Sequence, residues 1–148
     1  MRESNGTKKP ILFIDRAMDC HTLVEALIKA GANIQRHGDI FKPNTKDPEW
    51  LLEAGKNGWC ILTKDKRIRY NLLEIEALLT ARVGSFILVS PLNSDEMAKV
   101  ITEALPKIEE IALTIEKPFV YNIDRDGNLK KVDIYNLREA RRRKRRIR

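Results

Sequence analysis

Strand-like apolar runs alternate with helix-period segments along the first ninety residues, and this alternation constrains the fold more than any other feature. Ile11-Leu12-Phe13-Ile14 follows Pro10, ends at Asp15 and predicts a short buried strand. Leu23, Val24, Leu27 and Ile28 recur at helical spacing, and Gly31 supplies a stop. Residues 32–37 predict a weaker second strand ending near Gly38-Asp39, with a loop marked by Pro43-Asn44. Asp47-Pro48-Glu49 has the form of a helix start: Asp as cap, Pro in the first position, an acid suited to the dipole. Trp50, Leu51, Leu52 and Ala54 give that helix an apolar face, ended by Gly55 or Gly58. Residues 59–63 predict a third strand, 72–81 a third helix and 85–89 a fourth strand.

Beyond this body, Asn93 and Glu96 form a capping-box pattern opening a long amphipathic segment through Ile115. Pro106 lies inside it and predicts a kink or split near Leu105. Residues 119–124 and 129–134 flank Arg125-Asp126-Gly127-Asn128, a hairpin signal, expected as an appendage to the body. Four strands separated by helices call for an α/β fold in three layers: a mostly parallel central sheet with helices on both faces. The expected organisation is a flexible start over 1–9, the α/β domain over 10–117, a β-hairpin extension over 118–137 and an arginine-rich tail over 138–148.

With 148 residues, 43% of them apolar and 33% charged, the chain suits one ordinary globular domain. It holds no apolar run long enough to span a membrane, and Met1 to Pro10 lacks the apolar stretch of a signal peptide. Cys20 and Cys60 fit no metal spacing and read as reduced thiols, so a cytoplasmic location is expected. The net charge of +7 is unevenly placed. Seven arginines and Lys144 stand against Glu139 between 138 and 148, whereas the other residues balance at twenty cations and twenty acids. A block of like charges reads as a mobile arm that attracts phosphate without regard to sequence; the plainer readings are a solubilising tail or an exposed helix end.

In an open parallel sheet, ligands bind beyond the carboxyl ends of the strands. Aspartates gather there. Asp15 ends the first strand, Asp39 follows the second, Asp65 follows the third, and Asp47 heads a helix running back from the same rim. Three of these have an ordinary alternative: Asp47 as an N-cap, Asp65 as a turn residue and Asp39 as loop; Asp19 reads as the cap of the first helix, although its distance from Asp15 would let it line the rim. Carboxylates held together repel unless a cation joins them, and hard divalent cations favour oxygen ligands. No His/Cys set points to zinc, and no glycine-rich phosphate loop is present. Arg16, Lys64, Lys66, Arg67 and Arg69 border the acids and suit a phosphodiester backbone. Thr63 can hydrogen-bond Asp65 and orient it, and Glu49 sits near the same rim. Tyr70 and Trp59 can stack on bases, although Trp59 suits a core, and His21 and His37 read as structural or exposed.

These stretches are similar to those of a known family. Phe13-Ile14-Asp15-Arg16, Asp39-Ile40-Phe41 leading into residues 45–51, and residues 62–69 resemble the PIN-like nucleases, in particular the VapC-type toxin branch of type II toxin–antitoxin systems. Residues 104–109 and 118–120 also resemble that branch. The resemblance implies a PIN-like fold and a Mg²⁺- or Mn²⁺-dependent endoribonuclease, the toxin of a pair with a cognate antitoxin, commonly dimeric. It assigns the metal-site acids to Asp15, Asp47 and Asp65, with Asp39 as a fourth. One departure stands out. Many PIN domains carry a second acid two residues after the third aspartate, where this chain has Arg67. A smaller acid set implies a single-metal site, a metal recruited with RNA, or a catalytically degenerate module that binds nucleic acid or a protein without cutting. A metal-dependent phosphatase of small substrates is a weaker third reading.

Overall fold

The computed structural model describes residues 9–40, 42, 47–65 and 71–147, with backbone only for 47, 48 and 145–147. Strand β1 (Ile11–Ile14) leads through a 3-10 turn (Arg16–Met18) to α1 (His21–Lys29) and β2 (Asn33–Arg36). A single helical turn, α2 (His37–Ile40), follows directly. Then come α3 (Asp47–Lys56), β3 (Cys60–Thr63), α4 (Leu72–Ala81), β4 (Gly84–Leu88) and α5 (Ser94–Thr114). The described chain closes with β5 (Phe119–Ile123), β6 (Leu129–Val132) and α6 (Ile134–Ile147).

Six strands form one sheet in the order β2-β1-β3-β4-β5-β6. All neighbours are parallel except β5 and β6, which form an antiparallel hairpin. The chain steps from β1 to β2 in one direction and returns to place β3 on the other side of β1. That reversal opens a crevice between the carboxyl ends of β1 and β3.

Side-chain alternation assigns the two faces. Leu12, Ile14, Leu62, Phe86 and Leu88 face α1 and α5 in the larger core, which also holds Leu23, Leu27, Ile101, Leu105 and Ile108. Phe13 and Ile61 face α3, packing with Trp50, Leu51 and Ala54. Ile87 and Val120 face α4 and α6, packing with Ile75, Leu78 and Ile134. The result is the expected three-layer α/β architecture.

Local signals explain the boundaries. Gly31, at φ +88, takes the left-handed conformation that stops α1. Asn93 accepts from the Glu96 N–H at 2.8 Å while the Glu96 carboxylate accepts from the Asn93 N–H at 3.0 Å, completing the capping box of α5.

Four expectations need correction. Asp19 does not cap α1: Cys20 is the N-cap, and Asp19 instead pairs with Arg36 at 2.8 Å. Pro106 does not split the long segment, because α5 runs unbroken from Ser94 to Thr114. The proline lies on the exposed side of α5, so its ring displaces no core contact while Ala104, Leu105 and Ile108 bury around it. The hairpin is not an appendage. Its first strand hydrogen-bonds along β4 from Gly84↔Phe119 to Leu88↔Ile123, as the fifth strand of the main sheet. Finally, the arginine-rich segment is no loose arm. Through Ile147 it is the continuation of a helix anchored by buried Ile134.

Candidate active site at the β1–β3 crevice

β1 ends in a residue that belongs to the crevice rather than to the core. The Asp15 N–H donates to the Leu62 carbonyl at 3.1 Å, extending the β1–β3 ladder by one step and setting Asp15 beside Thr63. Alternation gives Asp15 the same face as Phe13, the face covered by α3. Asp15 is only 8% exposed, an unusual burial for a carboxylate. Its partner is specific: the Thr63 hydroxyl donates to Asp15 Oδ2 at 2.7 Å. The same Thr63 oxygen accepts from the Asp65 backbone N–H at 2.9 Å. One fully buried hydroxyl therefore ties the acid ending β1 to the turn that carries the acid after β3. The sequence reading gave Thr63 to Asp65; the structure has Thr63 holding the Asp15 carboxylate and the Asp65 main chain together.

α3 is held over the same place. It enters β3, whose direction is opposite, so its first residue, Asp47, falls at the carboxyl-end rim of the sheet. Trp50, one turn into α3, stacks on Phe13 at 5.4 Å between ring centroids. His37 stands 6.1 Å from Phe13 and 6.2 Å from Trp50. His37, which opens α2, is thus buried against β1 and α3, the structural of the two roles open to it from sequence. Trp59 also stacks on Phe13, at 5.6 Å, on the core side as its position suggested.

Other expected residues occupy the periphery. Arg16 is exposed on the 3-10 turn directly after Asp15. Lys64 is exposed between Thr63 and Asp65, and lines a shallow groove with residues 88–92 beyond β4. Asp39, on α2, and Glu49, in the first turn of α3, are both exposed. The Asp47 side chain, Arg67, Arg69, Lys66 and Tyr70 lie outside the described residues. Among the described side chains, no group of three His, Cys, Asp or Glu stands close enough to hold a metal ion. Thr63 links the Asp15 carboxylate to the Asp65 main chain, and Asp39 and Glu49 complete no triad of acids there among the described side chains.

Asp19 has a bracing role. Its side chain is largely buried, held by Arg36, and an added Cβ at Gly38 would stand 3.7 Å from its Oδ2. It therefore braces the β2–α2 corner beside the crevice. Its spacing from Asp15 hinted at the rim, but nothing in the sequence pointed to Arg36 as its partner.

A family model described as a PIN-like domain matches residues 10–90. The chain belongs to the PIN-like domain family. The match spans β1 to the end of β4, so it includes Asp15, Asp39, Asp47, Thr63 and Asp65 and leaves out α5, the hairpin and α6. No curated protein and no solved structure matches the chain. PIN-like domains have a nuclease-type fold, in keeping with the placement of acids at the crevice. Among the described residues no helix is long and apolar enough to cross a membrane.

Proposed function

We propose that this chain is a metal-dependent endoribonuclease that hydrolyses RNA phosphodiester bonds. The observation that carries the reading is the Asp15–Thr63–Asp65 link across the β1–β3 crevice of a PIN-like domain. A buried carboxylate locked by a hydroxyl is a hard oxygen donor held in place before any ligand arrives, which suits Mg²⁺ or Mn²⁺. Asp15, Asp65 and Asp47 would hold the ion, with Asp39 a fourth acid at the rim and Glu49 supporting. When bound, such an ion lowers the pKa of a coordinated water and offsets charge on a phosphoryl oxygen.

The chain's own residues divide the remaining work. Thr63 fixes the Asp15 carboxylate and the turn bearing Asp65. Arg16, exposed directly after Asp15, and Lys64, exposed between Thr63 and Asp65, hold the phosphodiester by charge, and Arg67 and Arg69 extend that set. The toxin role, a cognate antitoxin, a homodimer and a cytoplasmic location are part of the same proposal and rest on the Phe13–Arg16 pattern and its continuation.

The test is incubation of purified protein with unstructured and structured RNA, with Mn²⁺, Mg²⁺ or excess EDTA. Cleavage is expected with metal, and none in EDTA or in Asp15→Asn or Asp65→Asn variants that still fold. Full cleavage in either variant, or in EDTA, rules the mechanism out. Arg67, standing where many PIN domains have an acid, favours a second reading in which the domain binds RNA without cutting. RNA retention with no cleavage in either metal selects that reading.

A further inference from the structure

The route of α6 across the sheet gives its arginines a direction. Tyr135, in its first turn, borders a cleft with Arg82, the residue that ends α4. Two turns later Arg142 makes an ion pair with Glu76, in the middle of α4. α6 therefore runs antiparallel to α4, whose own start at Leu72 follows closely on the turn bearing Asp65. From Arg142 the helix has five residues left, about 7.5 Å of rise, and Glu76 lies about 6 Å along α4 from Leu72. The end of α6 thus reaches the level of the rim that holds Asp15 and Asp65.

The helix is also out of electrostatic balance. Between Arg138 and Arg146 it carries seven cations against Glu139. Arg138 and Arg142 repeat like charge at i,i+4, a spacing that opposes the helix by ~0.2–0.5 kcal/mol. Arg142 is offset by Glu76 and by a 3.9 Å contact from Glu139. Ile134 and Leu137 anchor one face on the core, while Arg143 and Lys144 are exposed. A polyanion along the helix relieves the repulsion that folding leaves.

Resting on the ribonuclease reading above, we propose that α6 is a rail for the RNA backbone. In this arrangement Arg143, Lys144 and their neighbours bind successive phosphates and lead the strand to the β1–β3 crevice. The contacts are to phosphate, so they add affinity without base preference.

The experiment uses the full chain carrying Asp15→Asn, which separates binding from cutting. Anisotropy of a labelled oligouridylate is followed against KCl for this parent, for Arg143→Gln/Lys144→Gln in it, and for a control pair, Lys29→Gln/Lys107→Gln, with the same charge loss on α1 and α5. The α6 pair is expected to weaken binding and to reduce the slope of log Kd against log salt by about 1.4, ~0.7 for each phosphate contact to a single strand. The control pair is expected to change it much less. An unchanged slope in the α6 variant overturns the proposal and leaves the helix to an acidic protein partner; equal loss in both pairs overturns it in favour of general charge. Failure of the nuclease reading looks different: the wild-type chain then cuts no RNA, while the α6 pair still controls binding.

Discussion

Thr63 and Asp15, forty-eight positions apart in sequence, share a 2.7 Å hydrogen bond at the mouth of the β1–β3 crevice. A carboxylate taken out of water needs such a partner, and the hydroxyl that supplies it is itself fully buried. The bond lets an isosteric change of one side chain separate positioning from packing.

Thr63→Val keeps the volume and removes the hydroxyl. It is expected to destabilise the fold by ~1–3 kcal/mol, since both the Asp15 carboxylate and the Asp65 N–H lose their shared partner. RNA cleavage is expected to fall ~10–100-fold, the usual effect of losing a group that orients a metal ligand. Thr63→Ser is expected to restore most of both. Denaturant unfolding and cleavage rates measured on the three proteins check this, and wild-type cleavage by the valine variant would refute the positioning role.

Gly55 is where α3 and α4 approach most closely. A Cβ there would stand 2.1 Å from the Ala81 carbonyl oxygen and 3.2 Å from the Ala81 side chain. Replacing Gly with Ala in a helix interior is worth up to ~1 kcal/mol of propensity. Overpacking against backbone costs ~1–3 kcal/mol, so the clash prevails. Gly55→Ala is expected to lower the melting temperature and, by pushing α3 outward, to reduce activity as well. A melting temperature at or above wild type would show that the helices separate freely.

Pro106→Ala is expected to act in the opposite sense. Its site in α5 is exposed, so the ring contributes no core packing, while it lacks the N–H that an alanine would restore to the helix ladder. Propensity alone favours alanine by up to ~3 kcal/mol. Chemical denaturation of the variant should show a raised midpoint with an unchanged m-value.

The hairpin turn carries a pH dependence of known sign. The Asp124 carboxylate accepts from the Asn128 N–H at 3.0 Å and the Asp126 N–H at 2.8 Å. The Asn128 bond is the main cause holding its pKa below the ordinary carboxylate value. A group lowered on folding stabilises the native state above its unfolded pKa, and that contribution disappears as the pH falls through the lowered value. The protection of β5 and β6 amides, measured against their intrinsic exchange rates, is therefore expected to fall as acid protonates Asp124, and Asp124→Asn should flatten this dependence. Identical acid profiles for wild type and variant would contradict it.

Much of the architecture is legible because period reports burial. β1, β3 and β4 are continuous apolar runs, as strands covered on both faces must be, and α4 starts and ends where its apolar spacing says. That Asp15 and Asp65 follow strands ending at the same rim is legible from alternation, since strands joined by a crossover point the same way. What was not legible depends on long-range partners. Pairing of β5 with β4 requires α5 to span the sheet unbroken, and Pro106 argued locally against that. The helicity of residues 138–147 is set by Ile134 and Leu137 docking and by Glu76, sixty-six positions from Arg142, whereas the local charge pattern pointed to an arm. Thr63 stood out in the sequence as a partner for Asp65, but only the register of β1 on β3 reveals that its hydroxyl faces Asp15.

The long helix α5 gives the family-matching segment a dependence that its boundaries hide. Among the described residues, eight of the nineteen in the larger core come from α5, and β5 supplies two more. A fragment cut at residue 90 would leave the apolar sides of α1, β1 and β3 bare to water, inviting self-association in place of folding. Transplanting the crevice into another protein, or expressing it by itself, therefore means carrying the downstream helix and strand along with it.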